Sequence, residues 1–194
     1  MRPIRSLAVF CGSSARVAEA HREAALRLGA EIARRGIRLV YGGGRIGLMG
    51  LLADAALAEG GEVVGVIPDF LFDLEVAHGG LTELVRVGSM HERKRRMFEL
   101  ADAFVAFSGG IGTLDETIEI TSWKQLGLHD RPIVLWNVGG LWNPLAAQFA
   151  NFVDAGFAHP EHARLFTIVE SIDAVFEALA TAPPSATPAD AKWT

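Results

Sequence analysis

The stretch Ala103-Phe-Val-Ala-Phe-Ser-Gly-Gly-Ile-Gly-Thr-Leu-Asp-Glu116 decides the fold, because a short apolar run passes through a glycine-rich turn into a helical pattern. Such a run is typical of a strand buried on both faces of a parallel sheet, with helices covering both sides. At the turn, a phosphate would meet several backbone N–H groups and the positive end of the helix dipole. The residues predicted to hold it are Gly109, Gly110, Ile111, Gly112 and Thr113.

The same residues also fit a purely structural interpretation. Thr113-Leu-Asp-Glu116 has the spacing of a capping box, in which Thr113 begins the helix and Glu116 reaches back to its amide group. Under that interpretation Glu116 stabilises the helix start and has no chemical role. Sequence spacing alone leaves both interpretations open.

Outward from this stretch, short apolar runs alternate with longer helical patterns, which is typical of βαβ units and a parallel sheet. We therefore predict an α/β fold with a doubly wound sheet of about seven strands and helices on both faces, in one domain over residues 1–182. The predicted strands span 5–11, 37–41, 62–67, 84–87, 103–107, 133–136 and 165–169, and the predicted helices span 15–35, 46–59, 90–101, 113–126, 141–155 and 172–180. Residues 68–80 are predicted to be irregular, and the tail 183–194, rich in Pro, Ala and Thr, is predicted to be disordered.

Composition narrows the class of protein. The 194 residues carry a net charge of -5, which leaves no broad basic field to hold a nucleic acid. A small anionic ligand needs only local positive charge. No stretch is long enough to span a membrane, and the first apolar run is too short for a signal peptide. The one cysteine, Cys11, cannot form an intramolecular disulfide, so we expect a soluble protein of the reducing cytoplasm.

A second glycine-rich junction, Tyr41-Gly-Gly-Gly-Arg-Ile-Gly47, contains the pattern G-x-G-x-x-G at Gly42, Gly44 and Gly47. In dinucleotide-binding folds this pattern follows the first strand, and an acidic residue ends the next strand. Here it follows the second predicted strand, and the next strand runs into Ile67-Pro-Asp69. A tight strand–helix turn fits the pattern at least as well as a dinucleotide site.

Two cations lie beside the apolar face of a predicted helix. Ser89-Met-His-Glu92 has the spacing of a capping box, so a helix should begin here and place Arg93 and Lys94 next to its apolar stripe. Cations in a first helical turn are disfavoured by roughly 0.3–1 kcal/mol, and a buried cation needs an anion to face. Arg93 and Lys94 are therefore candidate site residues, whereas Arg95 and Arg96 point elsewhere and are interpreted as a solvated face.

The next predicted helix has two carboxylates, and not two cations, beside its apolar stripe. Glu116 and Glu119 share a helical stripe with Trp123. Arg93 is the natural counter-charge for these carboxylates. Paired charges near a phosphate-binding turn indicate a site, although structural ion pairs have the same pattern.

Together these residues resemble the LOG (Lonely guy) family, the cytokinin riboside 5′-monophosphate phosphoribohydrolases, whose members are often labelled lysine decarboxylases. The family pattern is a Met-His-x-Arg-Lys helix start followed by Pro-Gly-Gly-x-Gly-Thr-x-x-Glu. Here the two motifs are Met90-His-Glu-Arg-Lys94 and Ser108-Gly-Gly-Ile-Gly-Thr-Leu-Asp-Glu116. The likeness covers most of the chain except the tail, and includes Phe10-Cys-Gly-Ser13, Tyr41-Gly-Gly-Gly44, Gly47-Leu-Met-Gly50, Trp123-Lys-Gln-Leu-Gly127 and Pro132.

The resemblance implies a Rossmann-like homodimer and an N-glycosidase that uses no cofactor and no metal. It implies that Arg93 and Glu116 are catalytic. The substrate-binding residues are then expected to be Ser13, Gly43, Gly44, Glu75, Lys94, Glu119, Ser122 and the glycine turn from Gly109 to Thr113. Two positions depart from the family: Ser108 replaces a proline, which removes a rigid φ, and Ser122 stands where plant members tend to have threonine.

The expected reaction is hydrolysis of the base–ribose bond of adenosine 5′-monophosphate, with or without an N6 substituent, to the free base and ribose 5-phosphate. Positive charge builds on the ribose as this bond breaks, and a nearby carboxylate, assigned to Glu116, lowers the barrier. The alternative is a nucleotide sensor or carrier with the same fold and no turnover. A lysine decarboxylase that uses pyridoxal phosphate is disfavoured, because Lys94 stands among arginines, Lys124 lies in mid-helix and Lys192 lies in the tail.

Overall fold

The computed structural model describes residues 3–72, 74 and 76–182, and these residues form one seven-stranded sheet. Its strands are β1 (Ser6–Phe10), β2 (Arg38–Tyr41), β3 (Val63–Pro68), β4 (Glu83–Val87), β5 (Ala103–Ala106), β6 (Ile133–Trp136) and β7 (Thr167–Val169). Neighbouring strands are parallel, in the order β4-β3-β2-β1-β5-β6-β7. The predicted parallel sheet is confirmed.

Helices cover both faces of the sheet. In the described part of the chain they are α1 (Glu19–Arg34), α2 (Gly47–Ala58), α3 (Asp69–Phe72), α4 (Met90–Leu100), α5 (Ile111–Gln125), α6 (Asn143–Asp154) and α7 (Ile172–Thr181). Side chains of a strand alternate between the two faces. Leu7 and Val9 of β1 therefore join a core with α1, α2 and α7, whereas Ala8 and Phe10 join the core beneath α4, α5 and α6. This confirms the doubly wound arrangement.

The winding of the chain reverses beside β1, and this reversal positions the site. From β1 the chain proceeds outward to β4 and then returns to place β5 on the other side of β1. Ligands of open parallel sheets bind beyond the carboxyl ends of the strands at such a switch point. The loops that leave β1 and β5 meet there, where Gly12 N donates to the Ser108 carbonyl oxygen at 2.9 Å.

The start of α5 differs from the prediction. The helix begins at Ile111, its N-cap is Gly110, and no side chain caps it. Thr113 therefore lies within the first turn with its side chain buried, so the capping-box interpretation of Thr113 and Glu116, which the sequence left open, is wrong. The glycine-rich turn lets the backbone enter the helix three residues earlier than a threonine cap at 113 would, which leaves Glu116 available for another partner.

Other boundaries differ where the sequence pattern is weak. The helix α1 begins at Glu19 and not at 15, so residues 11–18 form a loop. The last strand begins at Thr167, because residues 160–164 fold into a 3-10 helix that the apolar pattern did not reveal. The segment 68–80, predicted to be irregular, contains the short helix α3.

The predicted N-cap of α4 is confirmed, since Ser89 Oγ accepts a hydrogen bond from Glu92 N at 3.2 Å. The reciprocal bond of the predicted capping box is shifted by one residue, because Glu92 Oε2 accepts from Gly88 N at 2.7 Å and not from Ser89 N. The predictions for Glu75 and for the tail 183–194 fall outside the described residues. Within the described residues, the helices are too short or too polar to cross a bilayer.

Helices α1 and α2 approach each other very closely at Gly29. A Cβ atom there would lie 2.2 Å from the Leu52 carbonyl oxygen and 3.1 Å from Ala55 Cβ. Because the nearest atom belongs to the backbone of the facing helix, no change of rotamer relieves the contact. The packing of these two helices against the sheet therefore requires glycine at this position.

We expect Gly29→Ala to lower the free energy of unfolding by about 1–2 kcal/mol, measured by urea denaturation. Alanine gains about 1 kcal/mol of helix propensity, but overpacking against a backbone oxygen costs more. Gly79→Ala is the matched control, because a Cβ atom there meets nothing within 4 Å. Equal stability of the two variants would contradict the close approach.

Candidate active site

A cavity of about 560 Å³ opens at the switch point of the sheet. Its volume lies in the range of roughly 300–1,000 Å³ that is usual for small-molecule sites. The loop after β1, the glycine turn after β5 and parts of α1, α2, α4 and α5 contribute to its walls. The lining residues are Cys11, Gly12, Ser13, Ser14, Val17, His21, Leu48, Met49, Leu71, Arg93, Ser108, Gly109, Gly110, Ile111, Gly112, Thr113, Glu116 and Leu141.

An ion pair between α4 and α5 forms a polar wall of this cavity. Arg93 Nη1 donates to Glu116 Oε1 at 2.8 Å, and the two side chains are only 9% and 7% exposed. Arg93 Nε also donates to the Val66 carbonyl oxygen in β3, at 3.1 Å. The sequence predicted these two side chains as counter-charges, and the fold brings them together. A buried ion pair is weak evidence for stability, so its position in a cavity points to function.

Gly42 makes room for the ion pair. A Cβ atom on Gly42 would lie 1.8 Å from Nη2 and 3.0 Å from Cζ of Arg93. The guanidinium thus lies against the backbone of the first glycine junction, where any side chain would displace it. The pattern G-x-G-x-x-G therefore serves, at its first glycine, to admit the side chain of Arg93.

Burial governs the protonation of the groups in the cavity. It raises the pKa of Glu116 above the usual value of a carboxyl, although the charge of Arg93 acts in the opposite direction. A carboxylate with raised proton affinity is a stronger general base. Burial, assisted by the charge of Glu116, also raises the pKa of the Cys11 thiol far above its usual value. Cys11 therefore stays protonated and serves as a wall residue, as the sequence indicated.

The glycine turn presents backbone amides beside the ion pair. The amides of Ile111, Gly112 and Thr113 lie in the first turn of α5, where the helix itself supplies no carbonyl partner. A Cβ atom on Gly109 would lie 2.0 Å from Thr113 Oγ1, so a glycine is needed there for Thr113 to take its position. Free amides and the helix dipole make this end of the cavity a site for an anion.

Three of the predicted binding residues lie outside the cavity, on another side of α5. Lys94 Nζ contacts Asp115 Oδ2 at 3.0 Å and Glu119 Oε1 at 3.1 Å. Burial lowers the pKa of Lys94, but the hydrogen bonds to Asp115 and Glu119 outweigh it and raise the pKa overall. Glu119 and Ser122 line a separate shallow groove together with Trp123. The substrate contacts of Lys94, Glu119 and Ser122 stay predictions.

Of the remaining predicted binding residues that the structure describes, one lines the cavity and two do not. Ser13 lines the cavity. Gly43 and Gly44 do not line it, and their segment pairs instead with the segment 76–78, where His78 N donates to the Gly43 carbonyl oxygen at 2.9 Å. Gly43 and Gly44 therefore have a structural role in the described chain, and their contact with a ligand also stays a prediction.

Sequence reasoning missed His21, which lines the cavity from the first turn of α1. Its Nδ1 lies 2.8 Å from Ser108 Oγ. The many charged residues on α1, such as Glu19 and Arg22, give no sign of which single side chain of this helix faces inward. The polar residue Ser108, at the end of a buried strand, was the one signal that a partner was needed.

The cavity does not fit a pyridoxal phosphate enzyme. No lysine of the described residues lines it, whereas a Schiff base requires one. Lys94 is bound to carboxylates outside the cavity, and Lys124 Nζ donates to the Arg131 carbonyl oxygen at 3.0 Å. In the same part of the chain, no group of three or more metal-binding side chains is found.

Fold and site together define a doubly wound α/β protein with a charged cavity at its switch point. A family model described as "Possible lysine decarboxylase" matches residues 49–179, which is more than half of the chain. The chain belongs to this family, the LOG family that the sequence resembles.

Curated relatives agree with this assignment, and a solved structure shares the fold. A protein of Oryza sativa subsp. japonica, "Probable cytokinin riboside 5'-monophosphate phosphoribohydrolase LOGL9", is 48% identical over 84% of this chain and 71% of its own length. The "Cytokinin riboside 5'-monophosphate phosphoribohydrolase" of Rhodococcoides fascians is 44% identical over 90% of this chain and 89% of its own length. The molybdenum cofactor binding protein from Rippkaea orientalis has the same fold, with a TM-score of 0.71, 20% identity, and 93% and 98% of the two chains covered.

We expect Gly42→Ala to break the ion pair of Arg93 and Glu116 and to lower the free energy of unfolding by about 3 kcal/mol, since it leaves buried charges without their partners. The added methyl group takes the place of Arg93 Nη2. A crystal structure of the variant and its urea denaturation test both parts of this prediction. The prediction is wrong if the variant keeps the contact between Arg93 and Glu116 and has the same free energy of unfolding as the Gly79→Ala control. The backbone at Gly42 would then have room for a side chain.

Proposed function

We propose that this chain hydrolyses the N-glycosidic bond of adenosine 5′-monophosphate or of its N6-substituted forms, and releases the free base and ribose 5-phosphate. The proposal is carried by one observation: the buried pair of Arg93 and Glu116 shares a cavity with the free amides at the start of α5. A phosphorylated sugar substrate needs an anion site and a nearby carboxylate. The names of the relatives from Oryza sativa and Rhodococcoides fascians support this reaction.

The phosphate is assigned to the glycine turn. Backbone amides from Ile111 to Thr113 donate to its oxygens, and the helix dipole favours its charge. Binding energy from this remote group holds the ribose in the cavity, beside the carboxylate of Glu116. The positioning of the sugar thus depends on atoms that take no part in the bond cleavage.

Glu116 performs the chemistry at the ribose. As the C1′–N9 bond breaks, positive charge develops on the ring, and a carboxylate in a site of low dielectric stabilises that charge. The same carboxylate accepts a proton from the attacking water, for which its raised pKa suits it. Arg93 orients the carboxylate by its bond to Oε1, while the Val66 carbonyl oxygen holds the guanidinium in place.

The base is assigned to the apolar part of the cavity. Its walls there are the side chains of Val17, Leu48, Met49, Leu71 and Leu141. A flat purine and a hydrocarbon N6 substituent both gain from burial against such walls. A panel of AMP and N6-isopentenyl AMP, compared by kcat/KM, measures how much the substituent contributes.

We expect Glu116→Gln to bind AMP within about threefold of the unaltered chain and to lose roughly 10²–10³-fold in kcat. The amide keeps the volume and accepts the hydrogen bond of Arg93, but it neither stabilises a cation nor takes a proton. In the unaltered chain, turnover should fall when the pH drops through the raised pKa of Glu116, and the variant should lack this dependence. Isothermal titration calorimetry measures the affinity for AMP, and chromatography of the released adenine measures kcat.

Glu177→Gln is the matched control, because Glu177 is an exposed carboxylate on α7. It should behave like the unaltered chain in binding and in turnover. Near-normal adenine release by Glu116→Gln would remove Glu116 from the mechanism.

The alternative function, a nucleotide carrier without turnover, makes the opposite prediction for the unaltered chain. The structural neighbour from Rippkaea orientalis is named as a cofactor-binding protein, but at 20% identity it shows the fold alone. Tight binding of AMP with no release of adenine or ribose 5-phosphate would favour the carrier.

We assign a homodimer to the outer face of α5. Ile111, Leu114 and Ile118 are exposed apolar side chains on this helix, and they border the shallow groove that contains Glu119 and Ser122. A second copy of the chain would cover these side chains. Such a contact would also enclose the predicted binding residues that the cavity of one chain leaves outside.

We expect Ile118→Arg to convert the dimer into a monomer, as measured by analytical ultracentrifugation, because the charge would be buried at the contact. Phe157→Arg is the matched control: Phe157 is 85% exposed but lies after α6, away from this groove. A monomeric unaltered chain would overturn the homodimer. A dimer that persists in Ile118→Arg and dissociates in Phe157→Arg would place the interface elsewhere.

A further inference from the structure

We infer that His21 is the acid that protonates the leaving base, and that Ser108 is a positioning residue that holds its ring. The inference rests on the proposed function, because it adds a residue to the same reaction. It names the proton donor that Arg93 and Glu116 do not supply.

The imidazole of His21 is oriented and has one ring nitrogen to spare. Nδ1 lies 2.8 Å from Ser108 Oγ, and Ser108 is buried at the end of β5, next to the glycine turn. The hydrogen bonds of the described residues include none to Nε2 of His21. A Cβ atom on Gly139 would lie in ordinary van der Waals contact with the ring, 3.7 Å from Cε1 and 3.9 Å from Nε2. Because His21 lines the cavity and Nε2 has no hydrogen-bond partner among the described residues, the acid role is assigned to Nε2.

The other titratable side chains that line the cavity do not fit the role of acid. The thiol of Cys11 is buried and, with its raised pKa, holds its proton too strongly. A guanidinium such as that of Arg93 does not release a proton in proteins. Glu116 is bound to Arg93 and acts as a carboxylate at the ribose. Histidine is the side chain type that ordinarily changes charge between pH 5 and 8, and His21 is the one histidine among the lining residues.

The fold brings His21 to the cavity from one face of the sheet, and the pair of Arg93 and Glu116 from the other face. His21 belongs to α1, which packs on one face, whereas Arg93 and Glu116 come from α4 and α5 on the other face. Both reach the cavity at the carboxyl edge of the sheet. In glycoside hydrolysis, an acid at the leaving group and a base at the attacking water act from opposite faces of the bond.

Protonated His21 donates Nδ1–H to Ser108 Oγ and presents Nε2–H to a ring nitrogen of the purine. The C1′–N9 bond breaks, its electron pair goes to the base, and the proton of Nε2 joins the base. Water forms the new C1′–O bond and gives a proton to Glu116. The proton on Glu116 and the one missing from His21 then exchange with solvent, so that nucleotide and water yield base and ribose 5-phosphate.

The charges around His21 come from several elements. Across the cavity stand Arg93 and Glu116, which neutralise each other at 2.8 Å, and the protonated thiol of Cys11. On its own helix Glu19 pairs with Arg22. A separate depression beside the 3-10 helix Val138–Gly140 is lined by three further charged residues, Glu23 and Arg27 of α1 and Glu170.

The test compares two leaving groups in the full-length chain. AMP needs a proton on its base, whereas 7-methyladenosine 5′-monophosphate carries a cationic base that leaves without one. We expect His21→Gln to lose roughly 10²-fold in kcat on AMP and to cleave the 7-methyl nucleotide within about threefold of the unaltered chain.

Two further variants separate chemistry from structure. His159→Gln, an exposed histidine outside the cavity, should match the unaltered chain on both nucleotides. Ser108→Ala should slow AMP turnover by about tenfold and leave the 7-methyl nucleotide unaffected. The double variant His21→Gln/Ser108→Ala should be no slower on AMP than His21→Gln, because the hydroxyl acts through the ring.

Every outcome of these experiments either supports or overturns the acid role of His21. An equal loss on both nucleotides would make His21 a structural or binding residue and overturn the acid role, as would undiminished turnover of AMP by His21→Gln. If the unaltered chain cleaves neither nucleotide, the proposed function itself fails and the acid role fails with it. Cleavage of both by the unaltered chain, with loss on AMP alone in His21→Gln, supports both.

Discussion

The buried ion pair of Arg93 and Glu116 is the interaction on which the site depends. Removing two charges from water costs several kcal/mol for each ion, and only good geometry and additional hydrogen bonds offset this. The 2.8 Å contact and the bond from Arg93 to the Val66 carbonyl oxygen supply that geometry. They also join β3, α4 and α5 at one point beneath the cavity. An apolar pair would pack there at lower cost, so the charges are best explained by the ligand they face.

The two glycine junctions share a composition but have different tasks. At the first, Gly42 removes the side chain that would collide with Arg93 Nη2. At the second, Gly109 lets Thr113 turn inward, and Gly110 starts α5 without a side-chain cap. The first junction therefore positions a side chain of the site, while the second exposes backbone amides to a ligand. In the proposed reaction, the helix dipole and the guanidinium act on the same anionic substrate from neighbouring elements.

Local signals explain which parts of the structure could be predicted. The apolar runs of the strands, the glycine turns and the cap at Ser89 depend on residues close in sequence, and these predictions are confirmed. The capping box at Thr113 failed because its spacing also occurs inside a helix that begins earlier. His21 was missed because a helix rich in charge gives no sign of which single residue faces inward. Lys94, Glu119 and Ser122 are predicted to contact the substrate and lie outside the cavity of one chain, since helical spacing does not reveal which side of α5 the cavity touches.

The sequence by itself determined the parallel sheet, the placement of a glycine turn before a helix, the membership of the family and the candidate pair of opposite charges. These follow from periodicity and from residue types at short spacing, which act through local backbone geometry. Only the tertiary structure decided that Gly42 admits Arg93, that Ser108 orients His21 and that α1 and α5 reach one cavity from opposite faces of the sheet. Those relations join residues far apart along the chain, and their distances are set by the winding of the sheet and by no local pattern.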